Sequence, residues 1–459
     1  LDHNITQRKL NQHRRSLTMP SKKASAAGAA LAHGDAVLAG DPHVGNLQKV
    51  DHIVILMMEN RSFDQMLGYL SLEGGRTDVN GLTGGESNSY RVKGAGPVIK
   101  APSSRAASTH LGDDQDPCHT GTCVDQQIAQ AMGGFVQNYS DSHPADPDPG
   151  LVMRYFNAKD VPVYDFLASE FSIGDAWFSS VLGSTWPNRL YLTSGMAAGS
   201  RDNKTWLQYR NKSWARHLDS AGVSWKGYGD GFMGHSSIKF SDDNYRSSPN
   251  YEPFAASLTG YGFIRDCETG NLPAVSLIDP AFFKNDDHPP ADIAAGQKFV
   301  ARTYNALSKS PAWDRTLLIV LYDEHGGFFD HVVPGPAVDD DPNFRNYGVR
   351  VPAFFIGPYV PKGRCFHTTW DHASIVKSIL LRFCADNGEI PKMGARVAAA
   401  AHIGEVLSGT AARPAKPLPD SAVRTIAKRH TEMAVAEFLS DRKLSKPSPE
   451  ELSYIRASR

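Results

Sequence analysis

Short, unbroken apolar runs that end in carboxylate or amide residues are the most informative pattern along this chain. The first run covers residues 52–58 and ends at Glu59–Asn60, and the second covers residues 316–322 and ends at Asp323–Glu324. An apolar run of this length between polar turn residues predicts a strand that is buried on both faces. The pattern therefore predicts two buried strands, each with acidic residues at its C-terminal end.

Further apolar and amphipathic segments alternate along the chain. Additional strands are predicted at 171–178, 224–228, 274–278 and 351–356, and helices at 61–70, 124–139, 161–171, 295–307 and 371–383. Alternating helices and strands are typical of a parallel sheet with helices packed on its faces. The chain is therefore predicted to have an α/β fold.

The remaining segments divide the chain into a leader at 1–48, a main domain at 49–405, and a linker with a C-terminal helical tail at 406–459. Residues 73–110 are rich in Gly, Ser, Asn and Pro, and we interpret them as a long loop that forms a flap over the sheet edge. Arg14–Arg15 precedes a small-residue stretch and faintly resembles a twin-arginine export signal, which would place the protein in the periplasm or outside the cell. A disordered leader is the alternative interpretation.

The net charge and the length of the apolar runs indicate which binding partners to expect. The chain has 459 residues, and its 48 Lys and Arg nearly balance its 49 Asp and Glu, which leaves a net charge of −1. Such a balance argues against a nucleic-acid partner and against electrostatic attachment to an anionic membrane. No apolar run in the sequence reaches the roughly 18 residues of a membrane span, so at most peripheral membrane contact is expected.

The five cysteines leave their redox state open. Cys118 and Cys123 are close enough to close a small loop, and Cys365 with Cys384 is a second pairing. Five reduced thiols are the alternative, and an odd number leaves at least one cysteine unpaired within a single chain. The spacing matches no zinc-site pattern.

The strand ends predict a metal site. If the two strands are parallel neighbours, Glu59, Asn60, Asp323 and Glu324 converge at one edge of the sheet, where ligands bind in open α/β folds. Three carboxylates and an amide oxygen form a hard-oxygen site for one divalent cation, with calcium or magnesium favoured and zinc or iron as alternatives. Either acidic pair taken alone is more often a solvated loop or a helix cap.

A third stretch, at residues 184–192, supplies a candidate nucleophile. Pro187 suits the first turn of a helix, and Gly195 suits its end. Ser184 or Thr185 then lies at the helix start, where backbone N–H groups and the helix dipole attract anions. The hydroxyl is either an ordinary helix cap or a nucleophile that a metal activates toward phosphate.

Several histidines lie near these stretches. His119 follows Asp116-Pro117-Cys118, His288 follows Asn285-Asp286-Asp287, and His325 and His331 flank the double glycine after Glu324. A single histidine is more often structural than catalytic. Near a hard-metal site, several histidines are candidates for binding phosphate oxygens or protonating a leaving group.

Three motifs together resemble one family. Residues 59–64 resemble the ENRSFD motif of the bacterial phospholipase C and acid phosphatase family of phosphoesterases, which includes the plant non-specific phospholipases C. Residues 185–189 and residues 322–332 resemble the two other signatures of the family, in the expected order. The resemblance runs from about residue 50 to about residue 385.

The resemblance implies a three-layer α/β/α sandwich with an alkaline-phosphatase-like core over the main domain. It implies that Glu59, Asn60, Asp323 and Glu324 bind the metal and that Thr185 is the nucleophile and a further ligand. Candidate catalytic histidines follow from the same resemblance: His119, His288 and, with a less defined role, His325.

Motifs and resemblance together predict a metal-dependent phosphoric ester hydrolase. The expected substrate is a phospholipid, which a phospholipase C cleaves to diacylglycerol and a phosphorylated head group through a phospho-threonine intermediate. The first alternative is an acid phosphatase that acts on small phosphomonoesters. The second is a non-catalytic phospholipid-binding protein, which would be expected to have lost the nucleophile or a ligand, whereas all five positions are intact here.

Overall fold

An eight-stranded mixed sheet forms the centre of the structure. The structure is a computed structural model that describes residues 41–92, 96–203, 210–229, 236–255, 261–386 and 389–439. Most of the predicted leader and the end of the predicted tail lie outside the described residues. The predicted domain boundaries therefore stay a prediction.

The strands are numbered here in chain order. They are β1 (His52–Met58), β2 (Ser87–Tyr90), β3 (Ile99–Pro102), β4 (Ser104–Arg105), β5 (Arg154–Tyr155), β6 (Ser172–Gly174), β7 (Trp225–Gly229), β8 (Tyr251–Glu252), β9 (Val275–Asp279), β10 (Thr316–Tyr322), β11 (Ala353–Ile356) and β12 (Arg364–Phe366). The central sheet has the order β12-β6-β11-β10-β1-β9-β7-β8, while β2 pairs with β3 and β4 pairs with β5 in small separate ladders.

The helices are numbered in the same way. They are α1 (Phe63–Leu67), α2 (Tyr69–Leu72), α3 (Gly121–Met132), α4 (Phe135–Ser142), α5 (Pro162–Glu170), α6 (Thr185–Ser194), α7 (Trp214–Ser220), α8 (Ser236–Ser241), α9 (Phe263–Thr269), α10 (Ile293–Ser308), α11 (His372–Phe383), α12 (Ala395–Ala399) and α13 (Asp420–Leu439). Short 3-10 helices cover Val44–Lys49, Pro149–Met153, Asp243–Tyr245, Trp313–Arg315, Pro342–Phe344 and Gly404–Leu407.

The two strands predicted first are the central pair of the sheet. β1 and β10 are parallel, with Met58 opposite Tyr322 at their C-terminal ends. Every residue of β10, and every residue of β1 after His52, is buried, so both faces of this pair are covered. This confirms the predicted strands and their burial, because only a sheet with layers on both sides removes alternate side chains from water.

Helices pack in two groups around this sheet. Helices α6, α7, α8, α11 and α12 contact one another, and helices α5, α9, α10 and α13 form a second contacting set. The sheet and the two helical groups make up the predicted three-layer α/β/α arrangement. Among the described residues, each helix is either too short or too polar to cross a bilayer.

The sheet is mixed, whereas the alternation of helices and strands in the sequence is typical of a parallel sheet. β11 runs antiparallel to both β10 and β6, whereas the other strands of the sheet share one direction. An apolar run shows that a strand is buried but carries no information on its direction. Residues 323–352 between β10 and β11 contain only a short 3-10 helix, so no helical crossover returns the chain for parallel pairing.

Other differences from the predicted elements are local. The predicted helix at 61–70 is two short helices, and the loop predicted at 73–110 contains the β2–β3 ladder. The predicted helix at 124–139 is broken first within α3, where Ala129, Gln130 and Ala131 have non-helical backbone, and again before α4, where a Cβ on Gly134 would lie 1.9 Å from the backbone oxygen of Gln126. The predicted strand at 171–178 shortens to β6.

A buried arginine joins two of the sequence motifs. Arg350 is fully buried, and its guanidinium bonds to Asp64 at 2.9 Å and to Asp330 at 3.1 Å. Asp64 also accepts a 2.7 Å hydrogen bond from the ring of His331, which raises the pKa of that histidine despite its partial burial. Burial raises the pKa of Asp330 to about 6, against the effect of Arg350. The network ties the turn after β1 to the turn after β10.

We expect Arg350→Met to destabilise the fold strongly, because it leaves two buried carboxylates without their cation. Removing one partner of a buried ion pair typically costs about 3–5 kcal/mol. Urea denaturation followed by circular dichroism measures the loss. Arg345→Met is the matched control, since Arg345 is exposed and, among the described residues, its side chain bonds to the backbone oxygen of Asp339 and not to a buried carboxylate. Equal unfolding midpoints for the two variants would contradict this role of Arg350.

Candidate active site

The ends of β1 and β10 bring the four predicted metal ligands to one edge of the sheet. The backbone N–H of Asn60 donates to Asp323 Oδ1 at 3.0 Å, and the N–H of Asp323 donates to the oxygen of Met58 at 3.1 Å. Glu59, Asn60, Asp323 and Glu324 are all buried. The structure thus confirms that the two strand-end pairs converge.

Two turns with left-handed backbone make this approach possible. Asn60 has φ 57°, a conformation that Asn tolerates better than most residues. Gly326 has φ 63°, and a Cβ at this position would lie 2.2 Å from the backbone oxygen of Asn60. A glycine is therefore required where the turn after β10 meets the turn after β1.

One guanidinium is shared among the acids of the site. Arg189 is fully buried and bonds to Glu59 Oε1 at 2.5 Å and to Asp279 Oδ1 at 3.0 Å, with Asp323 Oδ2 at 3.9 Å. Burial raises the pKa of Glu59 well above its usual range, although Arg189 opposes the shift. Burial likewise raises the pKa of Asp323 to about 6, with Arg189 lowering it and Glu324 raising it.

Sequence reasoning did not assign roles to Arg189 and Asp279. Asp279 is the last residue of β9, which pairs with β1 on the side away from β10. It is a third case of an apolar strand ending in an acid, and the predicted strand at 274–278 stopped one residue short of it. Arg189 lies in the predicted helix four residues after Thr185, and its partners are too distant in sequence to be recognised.

The structure separates the two hydroxyls at the start of α6. Thr185 Oγ1 lies 3.2 Å from Glu59 Oε2 and 3.4 Å from Asn60 Oδ1, and the residue is fully buried. Ser184 Oγ instead donates to the backbone oxygen of His119 at 3.2 Å. Thr185 is therefore the hydroxyl that faces the acidic cluster.

The helix itself has the predicted limits, with Pro187 in its first turn and Gly195 at its C-cap with φ 72°. The predicted anion site at its N-terminus is less open than expected. The N–H of Trp186 already donates to the side chain of Asn203 at 2.8 Å. Because a side-chain amide occupies this donor, the acidic cluster and its neighbours define the site more than the helix end does.

Two of the predicted histidines lie together at the site. The ring nitrogens Nδ1 of His119 and His288 lie 2.9 Å and 2.6 Å from the backbone oxygens of Pro117 and Pro289. A carbonyl can only accept, so Nδ1 carries the proton in each ring and a neutral ring keeps its lone pair on Nε2. The two rings meet edge to face with centroids 5.8 Å apart, and His119 Nε2 lies 3.8 Å from Glu324 Oε1.

His325 is placed differently from the other two. Its Nε2 lies 2.8 Å from Oε1 of the buried Gln127, and its Nδ1 lies 3.4 Å from Glu324 Oε2. The contacts place this ring behind Glu324, whereas the catalytic role expected for His325 requires contact with substrate. That role stays a prediction, as do the roles of His119 and His288.

Hard-oxygen ligands with open positions make the cluster fit a metal. Among the described residues, Asp323 Oδ2 and Glu324 Oε1 accept no hydrogen bond although both atoms are buried. Buried carboxylate oxygens normally have a hydrogen-bond donor or a cation beside them. Carboxylate, amide and hydroxyl oxygens are the donors that calcium and magnesium prefer.

Two further groups of candidate metal ligands lie elsewhere in the described residues. One consists of Asp64, Asp330 and His331, and the other of Asp175, Cys365 and His367. The first is held by Arg350, and in the second Asp175 already accepts from the ring of His367 at 2.9 Å and from the N–H of Asn80 at 2.8 Å. Ion pairs and hydrogen bonds account for both groups.

A disulfide restrains the loop that carries His119. Cys118 and Cys123 are bonded, while Cys267, Cys365 and Cys384 are free thiols, so the alternative Cys365–Cys384 pairing is not formed. We expect thiol titration of denatured, unreduced protein to find three thiols, and five after reduction. Five thiols before reduction would contradict the bond and its use as evidence for an oxidising compartment.

The chain is similar to known proteins over the part that holds this site. The model of the Phosphoesterase family matches residues 50–384, a range that includes each site residue named above. Non-specific phospholipase C1 from Arabidopsis thaliana is 34% identical over 366 residues, which cover 71% of this chain and 66% of that protein. The chain thus spans slightly less than two thirds of the length of this plant relative.

Two other likenesses differ in strength. Phospholipase C B from Mycobacterium tuberculosis is 31% identical over 395 residues, which cover 74% of this chain and 75% of that protein. A crystal structure of a protein in the alkaline phosphatase superfamily from Vibrio parahaemolyticus has a TM-score of 0.33 at 12% identity, covering 61% of this chain and 82% of that chain. The first likeness supports a family assignment, and the second is too weak to support any conclusion.

Proposed function

The chain belongs to the Phosphoesterase family, and on this premise we propose that it is a metal-dependent hydrolase of phosphoric esters whose substrates are phospholipids. The observation that carries the proposal is the position of Thr185. Its buried hydroxyl lies within hydrogen-bonding distance of Glu59 and Asn60, next to two carboxylates with oxygen atoms that accept no hydrogen bond from described residues.

Glu59, Asn60, Asp323 and Glu324, with the Thr185 hydroxyl, would hold the metal. A divalent cation bound to these oxygens supplies positive charge that lowers the pKa of the threonine hydroxyl and polarises a phosphate oxygen. Calcium or magnesium suits the oxygen donors best. Arg189 engages Glu59 through Oε1, so Oε2 of the same carboxylate is the oxygen that faces Thr185.

The residues of the site can carry out the transfer in two steps. In the first, Thr185 Oγ1 forms a bond to phosphorus and loses its proton to water, and the bond from phosphorus to the glycerol oxygen breaks. A protonated Nε2 of His119 or His288 gives its proton to that departing oxygen. In the second step, water adds to phosphorus and gives a proton back to Nε2 of the same histidine, while the bond to Oγ1 breaks and Oγ1 takes a proton from water, which releases the phosphorylated head group and restores the hydroxyl.

An aromatic cluster beside Thr185 supports an apolar leaving group. Trp186, Leu190 and Phe282 form a small core of their own, and Phe240 and Phe283 pack against it. The ring of Phe283 also lies 5.3 Å from that of His288, so the cluster reaches from the nucleophile to the proposed acid. Apolar packing between the proposed nucleophile and the proposed acid suits the diacylglycerol side of a phospholipid better than a small polar alcohol.

The names of the relatives support the same substrate class, since both are phospholipases C. The disulfide at Cys118–Cys123 supports an oxidising compartment, and we therefore propose that the protein is secreted or periplasmic. Membrane contact is proposed to be peripheral at most.

We expect the enzyme to release nitrophenol from nitrophenyl phosphorylcholine with a higher kcat/KM than from nitrophenyl phosphate. A chelator should abolish both reactions, and calcium or magnesium should restore them. Absorbance assays of the two substrates measure the ratio. Faster cleavage of the monoester would favour an acid phosphatase instead. If neither substrate is cleaved with any divalent metal, a non-catalytic phospholipid-binding protein becomes the better interpretation.

We expect Thr185→Ala to lower turnover by at least about a thousandfold, because the covalent route is removed. Thr185→Ser should retain part of the activity, since it restores a hydroxyl. Mass spectrometry of acid-quenched enzyme should find the phosphorylated group on the peptide that contains residues 184–192. Ser184→Ala is the matched control and should keep this label. A label on a histidine, or normal turnover by Thr185→Ala, would show that the mechanism is wrong.

A further inference from the structure

Gln127 is a buried side chain that none of the sequence motifs includes. It lies on α3 and is 1% exposed. Its amide nitrogen Nε2 donates to the backbone oxygen of Cys118 at 2.6 Å and to Asn138 Oδ1 at 2.9 Å. Its amide oxygen Oε1 lies 2.8 Å from Nε2 of His325. Gln127 therefore connects the disulfide loop to the turn after β10.

The surrounding bonds determine which way this amide points. The two hydrogens of Gln127 Nε2 match two acceptors, of which one is a backbone carbonyl that cannot donate. The second acceptor is the amide oxygen Oδ1 of Asn138, because the amide nitrogen Nδ2 of Asn138 donates to Gln126 Oε1 at 2.6 Å. The oxygen of Gln127 must then face His325, so Nε2 of that histidine is the donor in the bond.

The other edge of the His325 ring faces a proposed metal ligand. His325 Nδ1 lies 3.4 Å from Glu324 Oε2, and the same oxygen accepts the N–H of Gly326 at 2.7 Å. With Oε2 held in this way, Oε1 of Glu324 lies 3.8 Å from His119 Nε2. The ring of Phe135 meets His325 edge to face at 5.9 Å and closes the remaining side.

The glycine after Gly326 shows how tightly these parts are packed. A Cβ on Gly327 would lie 2.8 Å from the oxygen of Cys118, 2.7 Å from Cβ of Pro117 and 3.3 Å from Nε2 of Gln127. The disulfide loop and Gln127 therefore rest directly on the turn that carries Glu324 and His325. Displacing Gln127 would therefore alter the packing of the disulfide loop against this turn.

We propose that Gln127 is a positioning residue that acts through His325: it holds the imidazole against Glu324 and so fixes the carboxylate that faces His119. The inference rests on the proposed function because Glu324 is taken there as a metal ligand. The contacts among Gln127, His325 and Glu324 do not depend on that function. Polar groups behind metal ligands typically change metal affinity or activity by about 10–100-fold when they are removed.

Gln127→Met tests the proposal, because methionine has a similar length and cannot make the three hydrogen bonds. Gln130→Met is the matched control, since Gln130 is an exposed glutamine of the same helix and lies outside the network of Gln127, Asn138 and His325. We expect Gln127→Met to lower kcat by about 10–100-fold with little change in KM, since the side chain does not touch substrate. Calorimetric titration of chelator-stripped protein with Ca²⁺ should show weaker binding. The control should resemble the unmodified protein in both measurements.

A double-mutant cycle separates positioning from general stability. If Gln127 acts through His325, adding Gln127→Met to His325→Ala should weaken Ca²⁺ binding no further than His325→Ala alone. Gln127→Glu keeps an acceptor for His325 and should retain more Ca²⁺ affinity than Gln127→Met. Additive losses, equal losses in the Met and Glu variants, or failure of both variants to fold would each overturn the proposal in favour of a structural role.

The binding measurement also separates this inference from the proposed function. Absence of cleavage in the unmodified protein would refute the hydrolase, while the Ca²⁺ cycle would still decide the role of Gln127. Absence of Ca²⁺ binding in the unmodified protein, with Mn²⁺ and Mg²⁺ tested in the same way, would refute both.

Discussion

The structure of the site depends on one arginine that makes a group of buried carboxylates tolerable. Arg189 reaches Glu59, Asp279 and Asp323, which end three neighbouring strands or follow them directly. Buried acids without a cation are protonated or destabilise the fold, because the low-dielectric interior disfavours the charged form. Arg189 lies four residues after Thr185 on α6, so both side chains lie on one face of the helix. The ion pairs therefore also set the position of the proposed nucleophile.

The turn after β1 and the turn after β10, which carry the acids of this cluster, support one another through close backbone contacts. Asn60 and Gly326 both have left-handed backbone, and their turns touch, which explains why an asparagine and a glycine occupy these positions. Further from the site, Arg350 joins Asp64 to Asp330 and so holds the same two turns from the other side. Charge pairing and steric fit thus act together, and neither turn could shift without the other.

Three histidines near the site differ in their hydrogen-bond partners, and these partners suit them to different roles. His119 and His288 each donate from Nδ1 to a backbone oxygen, and their Nε2 atoms are the proposed proton donors to the leaving group. His325 donates from Nε2 to Gln127, and the Nδ1 edge of its ring lies against Glu324, with Nδ1 3.4 Å from Oε2. Its neighbours suit it to orienting Glu324 rather than to meeting substrate.

The local features of this protein follow from residues that are neighbours in the chain. Apolar runs predicted β1 and β10, the acids at their ends predicted the convergence of Glu59 and Asp323, and Pro187 with Gly195 predicted the limits of α6. These features depend on residues that are adjacent in the chain, and a shared strand direction is enough to bring the two strand ends together.

The features that join distant segments of the chain depend on the folded arrangement. The reversed β11, the sharing of Arg189 with Asp279, and the bond from Gln127 to His325 depend on which residues meet after folding, and 198 positions separate the last pair. The same reason explains why Thr185 and not Ser184 faces the acids. Both hydroxyls suit a helix start equally well, and only the packing of the His119 loop against α6 gives Ser184 a backbone oxygen to bond.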